Sequence, residues 1–348
     1  MSTSRQRRAS AKPGSVRPAK APREPRVSLY DEVTGAIISQ LEAGAAPWVR
    51  PWRKGVGAAP GLPRNATTGR AYSGVNILLL WGALIERGYG RQAWLTFRQA
   101  QKAGGQVMKG ERGTTLVFAD RFTPKAEAER AAKAGEAPGS VLFLKPFTVF
   151  NIAQCEGLDA LAPEGPPPPE REIIPHVEAL ILATGADFRI GGDEAYYAPG
   201  PDYVRVPPQP AFTHQIDYYR TALHELSHWT GHRSRLDRDQ TGRFGSKAYG
   251  FEELVAELSA AFSCAALGVS PTVRHADYLG AWLAILKEDN RAIFRAAAKA
   301  SKAADFLLAF DPRRTDLAPG AQTADPDVGD AETADPACGA LASLEAVA

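Results

Sequence analysis

The sequence predicts an α+β protein in two parts, a mixed α/β front half and a mainly helical back half. Three observations predict it. In the front half, helix-spaced apolar residues alternate with two strand-like runs, TTLVFADRF and SVLFLKPFTVFNI. A-P-E-G-P-P-P-P-E at 162–170 then breaks both patterns, and consecutive prolines favour an extended, stiff spacer. Beyond it the pattern is mostly helical to about Phe310.

Residues 1–27 are dominated by Arg, Lys, Pro, Ala and Ser, cannot bury apolar area and are expected to be disordered. Leu29, Val33, Ile37 and Leu41 share one helical face, with Ser28 as cap and Gly44 as terminator. Residues 47–75 read as loop, followed by a helix from about Gly74 to Arg87. Trp94, Thr96 and Phe97 lead into a short helix, FRQAQKAG, and then come the two strands, separated by the charged insert KAEAERAAKAGEAPG. After the prolines we expect a helix over 174–183, strands near 188–190 and 203–206, and then helices. The predicted division is a basic leader (1–27), a mixed domain (28–160), a Pro-rich linker (161–172), a mainly helical domain (173–312) and a disordered acidic tail (313–348).

Its 348 residues suffice for two domains with cores, and 44% hydrophobic with 23% charged residues excludes disordered and membrane classes. No apolar run approaches the roughly 20 residues that cross a bilayer. MSTSRQRRAS is followed by no apolar signal core, so a cytoplasmic protein without a membrane partner is expected. Cys155, Cys264 and Cys338 are far apart and form no CxxC, which argues against a disulfide framework or a thiolate zinc site. The net charge of +2 hides an asymmetry: residues 1–30 carry eight Lys or Arg and one acid, while 320–348 carry six acids and no base. Residues 31–155 add sixteen basic groups against nine acids. An anionic partner at the front follows, nucleic acid being the usual one; a basic leader that only aids solubility is the competing explanation.

T-A-L-H-E-L-S-H-W-T-G-H, residues 221–232, sets His224 and His228 four apart on one helical face with Glu225 beside them. Two imidazoles so placed hold Zn²⁺, and the carboxylate serves as base for a water held there. A hydrolytic zinc needs a third protein ligand. The position six past His228 is Ser234, and His232 lies beyond Gly231, which ends the helix. Glu253 and Glu257 share a face of the next helix, 249–262. E-L-V-A-E, 253–257, resembles the Glu-x-x-Ala-acid form in which zincins supply a helical glutamate ligand. That similarity makes Glu253 the ligand and Glu257 the acceptor that orients a histidine ring. Exchanged roles, or Glu252 as ligand, stay open. One zinc per chain is expected, with Glu225 catalytic. Tyr249 or His232 could polarise an oxyanion, and the strand at 203–206 could hold an extended substrate along its edge.

HELSHWTGHRSRLDR and EELVAELSAAF resemble the zincin-like C-terminal domain of ArdC-type antirestriction proteins. PWRK, PRNATTGRAYSGVN, WLTFRQAQKAGGQVMKGERGT and FTVFNIAQCEGL resemble that family's N-terminal single-stranded-DNA-binding domain. The resemblance spans about 28–312. It implies DNA binding, a zincin-like metallopeptidase domain acting on a protein substrate, and protection of incoming mobile-element DNA. The leader, the insert near 125–139 and the tail depart from the pattern. Chemically, Trp52, Tyr72 and Trp94 could stack on bases while Arg53, Lys54, Arg64, Lys109 and Arg112 follow phosphates, with Asn76 in a glycine-flanked loop. Two other functions compete: a DNA shield whose metal is structural, and a regulatory or toxin-like protease that the leader merely localises.

Overall fold

The computed structural model describes residues 28–44, 46, 48, 61–158, 161, 174–269 and 278–314. The expected leader, nearly all of the linker and nearly all of the tail lie outside these residues, as do Trp52, Arg53 and Lys54.

Helix α1 (Leu29–Glu42) starts where Ser28 accepts a bond from the Asp31 amide, and it buries Val33, Ile37 and Leu41. Strand β1 (Arg64–Asn65) precedes helix α2 (Val75–Arg87), which closes on Gly88 in the left-handed region (φ 67°). Strand β2 (Ala93–Leu95) leads through a capping box, Thr96 with Gln99, into α3 (Phe97–Lys102). Next come β3 (Gln106–Val107), β4 (Thr114–Phe122), α4 (Lys125–Ala134), β5 (Val141–Asn151) and β6 (Cys155–Glu156). The main sheet has the order β1-β2-β5-β4, with β4 and β5 antiparallel from Thr114 opposite Val149 to Phe122 opposite Val141. Helix α4 lies inside the charged insert, where the sequence showed only a separator. Only Ala131 of this helix is buried, so no apolar stripe marked it, and a Glu127–Arg130 pair one turn apart supports it.

The back half begins with α5 (Pro175–Ala183), followed by β7 (Asp187–Ile190), β8 (Tyr196–Ala198) and β9 (Tyr203–Val206) in the order β7-β9-β8. Strand β9, expected to offer a free edge, is instead the central strand, and β8 is an edge. Three residues of Tyr-Tyr-Ala were too short a run to register as a strand. Helices α6 (Ile216–Trp229), α7 (Lys247–Leu267), α8 (Leu279–Glu288) and α9 (Ala292–Leu308) complete it. Helix α7 is buried almost all round, as a central helix must be.

One hydrophobic cluster spans both halves: Val33, Ile37, Trp48, Ile77 and Trp81 pack with Leu254, Leu258, Phe262, Trp282 and Ala297. Trp81 meets Phe262 edge-on at 5.8 Å, and Trp48 meets Trp282 at 5.9 Å. Polar ties reinforce the seam, with Thr34 Oγ1 donating to the Asn290 carbonyl (2.6 Å) and the Gly74 amide to Ser301 Oγ (2.9 Å). The proline-rich segment therefore joins two parts that share a core. A fragment of residues 28–158 would turn Ile37, Trp81 and their neighbours to water, forgoing about 2 kcal/mol for each large side chain. We expect that fragment to show no sharp calorimetric transition; a sharp one would establish that the front half folds independently.

Candidate metal centre

Helices α6 and α7 approach closely because small residues meet between them: Ser227 Oγ donates to Ser259 Oγ at 2.9 Å. That contact brings His224 and His228 against the glutamates of α7. Glu253 lies between the two rings, one carboxylate oxygen 3.6 Å from His224 Nε2 and the other 3.5 Å from His228 Nε2. Among the described residues His224, His228 and Glu253 form a group whose donor atoms all lie within 4.8 Å of one another. Behind the rings, His224 Nδ1 is 3.5 Å from Glu257 Oε2 and His228 Nδ1 is 3.4 Å from Glu252 Oε1. Each imidazole thus turns Nε2 to a common point and Nδ1 to a carboxylate. A cation at that point would displace the Nε2 protons and leave each ring protonated at Nδ1, on the side of its supporting carboxylate.

The site is buried and crowded with negative charge. Burial disfavours an imidazolium at His224, but Glu253 and Glu257 outweigh it and raise its pKa to about 9. Burial likewise opposes the charge on His228, and Glu252 and Glu253 carry its pKa up to about 10. Burial would raise the Glu253 carboxyl, yet the two histidines hold it well below the usual carboxylate range. Such a donor set calls for positive charge at its centre, and a divalent cation supplies it. Two imidazoles and a carboxylate fit that cation chemically.

Arg238 is the residue the sequence reading missed. Buried beside Glu252, it donates through Nη2 to Oε1 (2.7 Å) and through Nε to both oxygens, while Nη1 donates to Thr230 Oγ1 (2.7 Å). Gln240 Nε2 donates to the His228 carbonyl (2.7 Å). The support behind His228 is therefore an Arg238–Glu252 pair from the turn after α6, and no helical spacing marks it. Arg238→Ala strips the buried Glu252 carboxylate of its guanidinium and leaves it only His228 and Gln240, a change that costs about 3 kcal/mol. We expect a fall in melting temperature of the order of 10 °C; an unchanged melting curve would show the pair to be dispensable.

A cavity of about 300 Å³ opens at the centre, lined by His224, Glu225, His228 and Glu253, by Tyr249 and Tyr278, and by Ala195, Tyr196, Tyr197 and Pro199 around β8. Tyr249 donates to or accepts from the Tyr278 hydroxyl (3.2 Å), and burial with its anionic surroundings raises its pKa strongly. His232 is turned away, with Nδ1 at Ser234 Oγ (2.8 Å) and 3.8 Å from Asp202. Of the two oxyanion candidates, only Tyr249 lines the cavity.

Three of the expected DNA contacts are corrected by the fold. Trp94 is fully buried and Tyr72 nearly so, in one cluster with Leu80, Leu84 and Leu116, so neither ring can stack on a base. Asn76 clamps β4, its Nδ2 donating to the Val117 carbonyl (2.8 Å) and its Oδ1 accepting from the Val117 amide (3.0 Å). Aromatic content marked these residues, but burial is set by partners far away in sequence. Arg64, Lys109 and Arg112 are exposed.

Two histidines and a crossing glutamate around a cavity that Glu225 also lines define a zincin-like metallopeptidase domain, and the family model described as zincin-like metallopeptidase matches residues 175–299. The N-terminal domain of anti-restriction factor ArdC matches residues 27–150. The chain belongs to the ArdC antirestriction family. It is 38% identical to the antirestriction ArdC protein of plasmid R388, whose metal-free structure superposes with a TM-score of 0.69 over 82% of this chain and 99% of that one. The Mn(II)-bound structure of the same protein gives 0.67 over 83% and 100%. An uncharacterized protein, y4eC, of Sinorhizobium fredii is 42% identical over 83% of this chain and 94% of its own length. A DNA primase TraC of Escherichia coli is 38% identical over 84% of this chain, which spans only 28% of that longer protein. Among the described residues no helix is long and apolar enough to cross a membrane.

Proposed function

We propose that this chain binds single-stranded DNA through its N-terminal half, carries a metal-dependent peptidase centre behind it, and protects incoming mobile-element DNA in the cytoplasm of a new host. The observation that carries the enzymatic half is the convergence of His224, His228 and Glu253 on a cavity that Glu225 also lines. His224, His228 and Glu253 would hold one divalent cation. The R388 protein has been solved with Mn(II), and zinc is our assignment here because two imidazoles and a carboxylate suit it. Such an ion supplies Lewis acidity and lowers the pKa of water to about 7.

The remaining roles belong to the protein. Glu257 and Glu252 fix the two rings through their Nδ1 atoms, and Arg238 fixes Glu252. Glu225 accepts a proton and returns it to a leaving amine. Tyr249, kept protonated by its surroundings, donates to a developing oxyanion. The edge of β8 offers backbone groups to an extended peptide. The protein substrate is a host factor of unspecified sequence.

A second reading has its own support: the helix that supplies Glu252, Glu253 and Glu257 also forms the core shared with the front half. A metal there would brace the whole molecule, as a shield with a structural ion requires. Survival of transferred DNA in cells carrying wild type or Glu225→Gln separates the two. Loss of protection supports proteolysis, and full protection supports the shield.

A further inference from the structure

With Tyr72 and Trp94 in the core, the N-terminal half needs another surface for bases, and the fold offers one. Phe97, the first residue of α3, is 47% exposed and meets Phe150 of β5 edge-on at 6.4 Å. Its position is fixed from below: Gln99 Oε1 accepts from the Thr96 amide (2.9 Å) and from Asn65 Nδ2 (3.1 Å). Phe150 is flanked by the turn before β4. A side chain on Gly113 would fall 2.3 Å from Thr148 Cγ2 and 3.1 Å from Phe150 Cζ, so that turn lies directly on the strand. Arg112, next to Gly113, has its carbonyl held by Gln154 Nε2 (2.9 Å) and by Arg87. Its side chain and that of Lys109 are exposed and make no ion pair among the described residues. Arg98 is exposed beside Phe97. Residues 61–118 hold eight Lys or Arg against two acids, so the surroundings are cationic.

We propose that Phe97, backed by Phe150 and flanked by Arg98, Lys109 and Arg112, is the platform on which a base of single-stranded DNA stacks. This rests on the single-stranded-DNA reading above. An exposed ring edge-packed on a second ring presents an apolar face at low entropic loss, and the cations draw the phosphates across it. Duplex DNA keeps its base faces stacked on one another. Phe97 therefore adds affinity for single strands alone, whereas Lys109 and Arg112 add it for both forms.

The test uses the full chain, an oligothymidylate and a duplex of equal length. Phe97→Ala is expected to weaken single-strand binding by about 5- to 150-fold, the effect of one stacked base. Duplex binding and melting temperature should hold, and Phe97→Trp should restore the lost affinity. Lys109→Ala and Arg112→Ala should weaken both forms and each flatten the salt dependence by about one unit of slope. Single-strand affinity unchanged in Phe97→Ala, or an equal loss for duplex, overturns the platform. Absence of single-strand binding in the wild type overturns the DNA reading itself.

Discussion

Glu225→Gln is expected to abolish peptide hydrolysis while leaving the metal and the fold in place. General acid–base groups contribute about 10²–10⁴ in rate, so cleavage of a denatured protein substrate should fall at least that far. Glutamine matches the carboxylate in volume, and Glu225 is nearly fully buried, so packing in the cavity wall is preserved. Glu225 lines the cavity together with Glu252 and Glu253, and replacing it by glutamine adds no charge to that already acidic lining. The melting temperature should therefore stay level, and elemental analysis should still find about one divalent ion per chain. New amino termini read by mass spectrometry measure the activity. Hydrolysis at the wild-type rate would remove Glu225 from the reaction, and loss of the metal would make it a ligand.

The centre was legible in the sequence to the extent that helical spacing encodes it. The separation of four between His224 and His228, and again between Glu253 and Glu257, places each pair on one face of its helix. Spacing cannot say how two helices cross. The division of labour, with Glu253 at both Nε2 atoms, Glu257 behind His224 and Glu252 behind His228, depends on the contact through Ser227 and Ser259. Arg238 reaches Glu252 from an irregular turn, and irregular turns have no period to read.

The strands of the β4–β5 hairpin were visible because each is long and rich in β-branched and aromatic residues, whereas β8 and α4 lacked any apolar rhythm. The front-half aromatics misled because composition carries no information about burial. Trp94 and Phe97 are three residues apart, yet one is sealed beneath α2 and the other looks outward from the start of α3. The proline run suggested a stiff spacer between two parts, but Val33, Ile37 and Trp81 pack on residues more than 170 positions away. Only tertiary contact reveals that.

Metal removal should accordingly destabilise the whole molecule. A ligand that binds only the folded state at a thousand times its dissociation constant contributes about 4 kcal/mol. At about 2–4 °C per kcal/mol, dialysis against a chelator should lower the melting temperature by of the order of 10 °C. His224→Ala and His228→Ala should lose most of the metal, and Glu253→Ala should bind it much more weakly, each melting near the metal-free value. Helix α7 presents Glu253 and Glu257 to the centre, and its Leu254, Leu258 and Phe262 pack with Val33, Ile37, Trp81 and Trp282 in the common core. Loosening one face therefore loosens the other, and calorimetry should record a single transition that moves as a unit. Well below that transition single-strand affinity should be unchanged, because Phe97, Lys109 and Arg112 belong to α3 and the turn before β4, not to α7. On heating, DNA binding should disappear with the core, and at a lower temperature once the metal is gone. Two separate transitions, only one of them sensitive to metal, would mean that the seam between Trp81 and Phe262 carries no coupling and that the halves act as tethered modules.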